Sequence, residues 1–314
     1  MRTIFLEHPH QLKTDHLPPS VMALGYFDGV HLGHQRVIQT AIQIAEQNNM
    51  RAAVMTFDPH PAVVLGRKKD SSLLTPLSIK EKRIKALGVD ILYVVKFDLD
   101  FSKLSPQQFV DDYIIGLSVK HVVAGFDYTF GRFGAGTMET IGNYSRGQFD
   151  HTIVEKVEKN GVKISSSAIR EEIKAGRVAE LPEYLGRYYQ LEGTVVSGEK
   201  RGRTIGFPTA NIALNGDFLL PKEGVYAARL LVDGKWHNGV LNLGYKPTFH
   251  DRLEEAVIEV HLFDFDENIY GENVTLEWRK RLRGEKKFSS VDALTKQINA
   301  DKEEAQRYFH LQFR

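Results

Sequence analysis

The feature that most constrains the fold is a change of apolar rhythm at residues 181–186. Before it, short apolar runs alternate with helical stretches. VMALG (21–25) precedes a helix expected from about Gln35 to Asn48, and AAVMTF (52–57) is stopped by Asp58, Pro59 and Pro61. Ser78 with Glu81 has the spacing of a capping box for a helix ending at Gly88, and VDILYVVKF (89–97) is the next strand. Ser105 and Pro106 with Gln108 cap a helix through Ile115, and HVVAGF (121–126) returns to strand. This alternation predicts a mostly parallel sheet covered on both faces, with loops at the strand ends collecting any ligand.

After the helical LPEYLG (181–186) the pattern becomes strand and turn. LEGTVV (191–196), GVYAARLLV (224–232), KWHNGVLNL (235–243), AVIEVHLFDF (256–265) and NVTLEW (273–278) read as strands, with VDGK (232–235) as a hairpin turn. Ser290 to about Phe309 is helical. An antiparallel barrel or tightly curled sheet with a helical tail follows. The 314 residues suffice for two cores, so the expectation is α/β followed by β, divided as 1–184 and 185–314.

Charge and composition exclude several classes. Lys plus Arg (41) balances Asp plus Glu (40), which gives no broad electrostatic grip on nucleic acid or a membrane. The absence of cysteine removes disulfides, thiolate catalysis, Cys-ligated zinc and iron–sulfur clusters. The N-terminus lacks the apolar core of a signal peptide, and no run approaches the roughly 20 residues that span a bilayer. A cytoplasmic protein is expected, monomeric or weakly homo-oligomeric, with no nucleic acid or membrane partner.

Four segments of the first half carry chemistry. YFDGVHLGH (26–34) sets two histidines and two glycines at a strand-to-helix turn, where exposed amides bind phosphate and imidazoles add donors. Asp28 and Gly29 favour a tight turn, and Gly33 permits close backbone approach. Alone, the motif equally describes turn formers and exposed caps, or two ligands of a metal that lacks a third. TFDPHP (56–61) ends a strand at the same edge, or is simply a Pro-rich loop. GFDYTFG (125–131) places Phe126, Tyr128 and Phe130 either to stack on a planar ring or to fill a core. ISSSAIR (164–170) puts hydroxyls before a helix and an arginine one turn inside it, which suits a polyphosphate; an ordinary cap uses one serine.

In the second half, GRTIGFPTANI (202–212) shapes a loop before an extended segment in which Thr209 and Asn211 alternate onto one side. A hydroxyl and an amide carbonyl are hard oxygen ligands for magnesium held by nucleotide phosphates; the plainer reading is an Asn and Thr turn. No GxxxxGK[ST] is present, so a P-loop kinase is not supported. Alternation in AVIEVHLFDF puts Val257, Glu259 and His261 opposite Ile258, Val260 and Leu262. Glu259 is then either solvated or, if its face lines a ligand cavity, placed to deprotonate a hydroxyl attacking ATP.

Taken in order, these segments resemble the bacterial bifunctional riboflavin kinase and FAD synthetase family, whose first half is of the HIGH-type nucleotidyltransferase group. The family pattern (F/Y)DGVHxGH matches Phe27 to His34, and ISST-x-IR matches Ile164 to Arg170 with Ser167 for the usual threonine. TFDPHP and GxDFxFG match 56–61 and 125–131, with Tyr128 for the commoner phenylalanine. The kinase module matches at GRTIGFPTAN, PKEGVYA (221–227), LNLGYKPTF (241–249), IEVHLFDFDENIYG (258–271) and LRGEKKF (282–288). Gly284 and Tyr188 occupy usual proline positions.

The resemblance implies a Rossmann-like nucleotidyltransferase domain and a riboflavin kinase barrel. Riboflavin would become FMN, and FMN would become FAD, with ATP and Mg2+ at each step. It implies that His31 and His34 stabilise the α-phosphate, that Ser165, Ser166 and Arg170 hold the β and γ phosphates, and that Phe27, Asp28, Gly29, Asp127 and Asn143 belong to the pocket. It further implies that Gly202, Gly206, Pro208, Thr209 and Asn211 surround the kinase nucleotide, that Thr209 and Asn211 approach magnesium, and that Glu259 is the base. Three other readings compete. One is a riboflavin kinase whose other half is weak or selective for a flavin redox state. The second is an RNA-binding relative of the aminoacyl-tRNA synthetases, and the third a flavin-binding regulator, which leaves Glu259 and both histidines without a task.

Overall fold

The computed structural model describes residues 1–12, 17–66, 72–198, 206–247 and 254–312. By compactness the chain divides into Met1–Ser166 and Ser167–Arg314.

The first unit is built on six parallel strands: β1 (Arg2–Leu6), β2 (Ser20–Leu24), β3 (Arg51–Asp58), β4 (Ile91–Lys96), β5 (Val119–Gly125) and, after a two-residue hairpin of β6 (Thr129–Phe130) and β7 (Gly136–Thr137), β8 (Asp150–Val154). Their order is β1-β4-β3-β2-β5-β8. Alternate side chains leave the central strands on opposite faces. Val21, Ala23, Val54, Leu92 and Val94 pack with Val37, Ile38, Ala41 and Ala45 of the helix Leu32–Gln47. Met22, Leu24, Met55, Tyr93 and Val95 pack on the other face with Phe109, Val110, Tyr113 and Ile114.

The chain runs from β2 outward through β3 to β4 and then returns to β5 on the other side of β2. This reversal opens a crevice at the carboxyl ends of β2 and β5, where doubly wound sheets bind ligands.

Capping follows the sequence in one place and departs from it in another. Ser105 and Gln108 form the expected capping box, and the helix they start continues as a π-helical turn, Asp111–Ile115. The box expected at Ser78 and Glu81 is absent, because the helix already begins at Leu77 behind Pro76, with no side-chain cap. The N-cap thus falls at Pro76, two residues before Ser78.

The second unit is a closed antiparallel barrel of β11 (Tyr189–Val196), β12 (Ala210–Leu214), β13 (Gly224–Val232), β14 (Lys235–Pro247), β15 (Glu254–Leu262) and β16 (Asn273–Arg283), preceded in the chain by the small hairpin β9 (Glu158–Lys159) and β10 (Val162–Lys163) of the first unit. The barrel order is β11-β12-β15-β14-β13-β16. β13 and β14 are joined through Asp233 and Gly234, both at positive φ (48° and 75°), the conformation a two-residue hairpin turn requires. The tail is one helix, Val291–Gln312, whose Ala305 and Phe309 pack on Ala227 and Val240. Arg283 at the end of β16 makes a bidentate pair with buried Asp301 of that helix (2.7–3.1 Å). Tyr188, where the resemblance led to an expectation of proline, has the Arg279 guanidinium 3.6 Å from its ring centroid, a cation–π contact.

Residues 167–184 belong to the barrel unit by compactness. The Lys222 amide donates to the Ile173 carbonyl, and a Cβ at Gly176 would collide with the Arg281 side chain.

Candidate active sites

In the first unit, YFDGVHLGH connects β2 to the helix Leu32–Gln47 through a contorted turn. Phe27, Gly29 and Val30 all have positive φ (56°, 88° and 40°), which costs energy for the two non-glycine residues and persists only where neighbours enforce it. The enforcing contacts are specific. The Tyr26 carbonyl accepts from the Thr56 hydroxyl and the Lys80 ammonium, both at 2.8 Å. Asp28 is buried, and its Oδ1 accepts the backbone amides of Leu74 (2.9 Å) and Thr75 (3.0 Å). The Gly29 amide donates to the Thr75 hydroxyl, and Ser166 donates to the Asp28 carbonyl, each at 2.8 Å.

His31 is the helix N-cap. Its Nδ1 accepts the His34 amide at 3.2 Å, so the neutral ring carries its proton on Nε2 and offers a donor there. The two imidazoles stack at 3.5 Å with 20° between their planes, and Phe27 meets His34 edge-on. A Cβ at Gly33 would lie 3.1 Å from the His31 ring and 3.7 Å from the Ile164 carbonyl, so the glycine lets HLGH and ISSS close on each other. Burial, followed by the fields of His31, Lys80 and Lys163, holds His34 well below the ordinary imidazole value. Its Nδ1 is shielded from solvent and has no hydrogen-bond partner among the described residues.

Tyr26, Phe27, His31, Gly33 and His34 line one side of an 840 Å³ cavity, which the expected pocket residue Gly29 does not reach. Phe57 and Pro61 of TFDPHP, the Gly125–Gly134 loop, and Ile164, Ser165 and Ser166 complete it, with Phe97, Phe101 and Phe109 forming an apolar end and Lys103, Arg132, Lys156 and Lys163 adding positive charge. A volume of this size, largely apolar with convergent polar groups, suits a cofactor-sized ligand.

The remaining expected residues fall unevenly. Asp127 lines the cavity and pairs with Lys163, and Lys163 also lies over the exposed Phe126 ring. Phe130 is core, packed on Phe109 and Tyr144. Asp28 turns its carboxylate into the Leu74–Thr75 backbone and does not line the cavity, and neither does Asn143, exposed on the short helix Ile141–Tyr144. Arg170 sits four residues beyond Ser166 on the helix Ser166–Lys174, most of which belongs to the second compact unit. Lys80 was not foreseen. It is 2% exposed on the helix Leu77–Ala86, and a sequence signal was available: it lies three residues after Leu77 and four before Ile84, on the apolar stripe, off which the exposed Lys82 and Lys85 fall.

In the barrel, Asn211 of β12 pairs with Glu259 of β15, and Glu259 pairs in turn with Asn242 of β14. Directly opposed residues share a face, so the three polar side chains form a row across three strands. Ile258, Val260 and Leu262 occupy the buried face, as the alternation predicted. A Cβ at Gly198 would collide with the Asn211 amide, so the chain after β11 cradles that side chain closely. His261 Nδ1 donates to the Pro208 carbonyl at 2.9 Å and its ring meets Phe207 edge-on, which ties the PTAN segment to β15. Thr209 is half-buried just before β12, and Gly206 has φ of 85°. Gly202 lies outside the described residues. Two residues escaped the sequence reading. Asn242 is an isolated amide between buried Leu241 and Leu243, a signal that was available; Glu285 reaches back so that a Cβ at Gly244 would lie 2.5 Å from its Oε1.

Among the described residues no three His, Cys, Asp or Glu side chains cluster as a metal cage, and no helix is long and apolar enough to cross a membrane.

Known proteins resemble the chain over nearly its whole length. The family model described as FAD synthetase matches residues 13–168, and that described as riboflavin kinase matches 185–309. A Bacillus subtilis protein named bifunctional riboflavin kinase/FMN adenylyltransferase is 53% identical over 311 residues, 98% of each chain, and one of the same name from Listeria monocytogenes is 49% identical, again over 98% of each. The Escherichia coli K12 protein of that name is 35% identical over 93% of each chain. A solved Streptococcus pneumoniae structure titled a macrolide-efflux protein superposes with a TM-score of 0.88 at 37% identity, covering 98% of this chain and 99% of that one. The chain belongs to the bifunctional riboflavin kinase/FMN adenylyltransferase family.

Proposed function

We propose that the chain phosphorylates riboflavin to FMN on the Asn211–Glu259 face of the barrel and adenylylates FMN to FAD in the cavity behind His31 and His34. The observation that carries this reading is the presence in one chain of both constructions: a capped, stacked histidine pair on a helix N-terminus, and a carboxylate flanked by amides on a barrel strand. We assign the two activities to 1–184 and 185–314.

In adenylyl transfer a phosphate oxygen of FMN attacks the α-phosphorus of ATP, the new P–O bond forms, and the bond to the bridging oxygen breaks to release pyrophosphate. The acceptor is already anionic, so no protein base is needed; the task is alignment and neutralisation of crowded charge. His31 offers its Nε2 proton to the reacting phosphate, with the Leu32 and Gly33 amides preceding the first intrahelical bond. His34 remains neutral at physiological pH and supports His31 by stacking. Ser165 and the Ser166 amide take the β and γ phosphates, the Ser166 hydroxyl being held by the Asp28 carbonyl, and the family resemblance adds Arg170 to them.

In phosphorylation Glu259 accepts the proton of riboflavin's 5′-hydroxyl as its oxygen attacks the γ-phosphorus of ATP, releasing ADP. Thr209 and Asn211 would hold Mg2+ together with ATP phosphates. Their hydroxyl and carbonyl are hard oxygen donors, and the cradling of Asn211 by Gly198 supports the fit. The ion supplies charge neutralisation at the transferring phosphate. Gly206 and Pro208 shape the segment beside the nucleotide, and the family resemblance assigns Gly202, outside the described residues, to the same nucleotide.

The test is to supply riboflavin or FMN with ATP and Mg2+ to His31→Ala and Glu259→Gln chains. The reading expects the first to stop at FMN and the second to make FAD only from FMN; equal loss of both activities in either folded variant would contradict it.

A further inference from the structure

We propose that Lys80 is a positioning residue for adenylyl transfer: its buried ammonium holds the Tyr26 carbonyl and so fixes the turn that presents His31 and His34. The proposal rests on the adenylyl-transfer reading of the cavity. Lysine is almost never fully buried unless paired. Lys80 is buried, yet its contacts among the described residues are the Tyr26 carbonyl (2.8 Å), the Thr56 hydroxyl (3.3 Å) and the face of the Tyr26 ring (3.9 Å), with no carboxylate among them. A methionine would fill the same space without desolvating a charge, so the ammonium has a task other than packing.

The geometry supplies that task. Tyr26 is the last residue before the run of positive φ at Phe27, Gly29 and Val30, which ends at His31. Its carbonyl takes both the Thr56 and Lys80 donors, and its ring contacts the Lys80 ammonium (3.9 Å) and the His60 ring (4.1 Å). A strained turn keeps one geometry only when its surroundings over-determine it. Three anchors do so here: Lys80 and Thr56 at its start, the Asp28 carboxylate on the Leu74 and Thr75 amides in its middle, and the His31 cap at its end.

The same ammonium acts on charge. Asp28 and Asp58 favour its protonated form while burial opposes it, and the balance pushes its pKa down to about 8, so it is a cation at pH 7. His34 faces the positive fields of Lys80 and Lys163 and the stacked His31 ring. Removing Lys80 therefore lets His34 protonate at higher pH, whereas removing Thr56 weakens the same carbonyl anchor and leaves the charge in place.

Lys80→Met, Lys80→Arg and Thr56→Val in the full chain separate these effects, read by FAD formation from FMN and by the NMR titration of the His34 ring. We expect Lys80→Met to lower kcat roughly 10- to 100-fold, the scale of a misplaced reacting group, and to raise the His34 titration midpoint. Thr56→Val should lower kcat with that midpoint unmoved, Lys80→Arg should recover part of the rate, and riboflavin phosphorylation should stay at the wild-type rate throughout. Wild-type kcat and an unmoved midpoint in Lys80→Met overturn the proposal alone. If Lys80→Met fails to fold, wild-type rates in both other variants overturn it. A wild-type chain that makes no FAD overturns the adenylyl-transfer reading, and the proposal with it.

Discussion

Asn211 and Glu259 stand opposite each other in the antiparallel register of β12 and β15, which puts an amide and a carboxylate from distant parts of the chain on one face of the barrel. If Glu259 is the base, Glu259→Gln keeps the shape of the row and removes the proton acceptor. Riboflavin phosphorylation should fall by about 10²- to 10⁴-fold, the usual share of general base catalysis. FAD formation from FMN should be unchanged, and a parallel loss of both rates would rule out the assignment.

His31 is tested in the other unit. His31→Ala removes the Nε2 donor and the helix cap together. FAD formation should drop by about 10²- to 10³-fold, as for loss of one transition-state donor, while FMN formation persists. Helix capping contributes about 1 kcal/mol, so urea unfolding of the variant should show only a modest loss of stability.

The part of this site legible in the sequence was local. The turn and the Ser105–Gln108 capping box depend on neighbours within a few residues, and the alternation around Glu259 needs only one strand, but the helix expected from about Gln35 starts at Leu32 with His31 as a buried cap. What stayed hidden depends on pairing across the chain. The Glu259–Asn242 register joins strands through a barrel, and the Lys80 ammonium finds its hydrogen-bond partners at Tyr26 and Thr56, 54 and 24 residues away. The outer strands β1 and β8 were also missed, since RTIFL buries only Leu6 fully and DHTIV only Val154. An edge strand with one solvated face carries a weak apolar signal.

Asp28 separates a structural role from a ligand-binding one. Its Oδ1 accepts two backbone amides, so Asp28→Ala should cost about 1–3 kcal/mol for each amide left unsatisfied in the core. Thermal unfolding should resolve the loss, accompanied by reduced FAD formation. An Asp28→Ala chain of wild-type stability with weakened ATP binding would instead assign the carboxylate to the nucleotide.

The depressed His34 pKa makes stability depend on pH. In the folded chain the ring resists protonation, whereas the unfolded ring protonates at about 6.5, so between these values the unfolded state binds more protons. The contribution is fully present above pH 6.5 and is lost as pH falls below it toward the folded pKa. His34→Asn should therefore lose less stability than the wild type between pH 7.5 and 5.5, measured by urea unfolding at both; an equal loss would mean that the buried ring does not resist protonation.

The unit boundary also has a measurable consequence. The Ile173 carbonyl accepts from the Lys222 amide, and Gly176 abuts Arg281. A fragment of 167–314 should unfold at higher urea concentration than one of 185–314, with riboflavin kinase activity in both. Equal midpoints would show that 167–184 adds nothing to the barrel.

The most direct measurement is a time course of the purified wild-type chain with riboflavin, ATP and Mg2+, with the flavins separated at each point. FMN should appear first and FAD should follow at its expense, with one pyrophosphate released per FAD. FMN that accumulates without conversion would contradict the adenylyl-transfer half, and riboflavin recovered unchanged would contradict both.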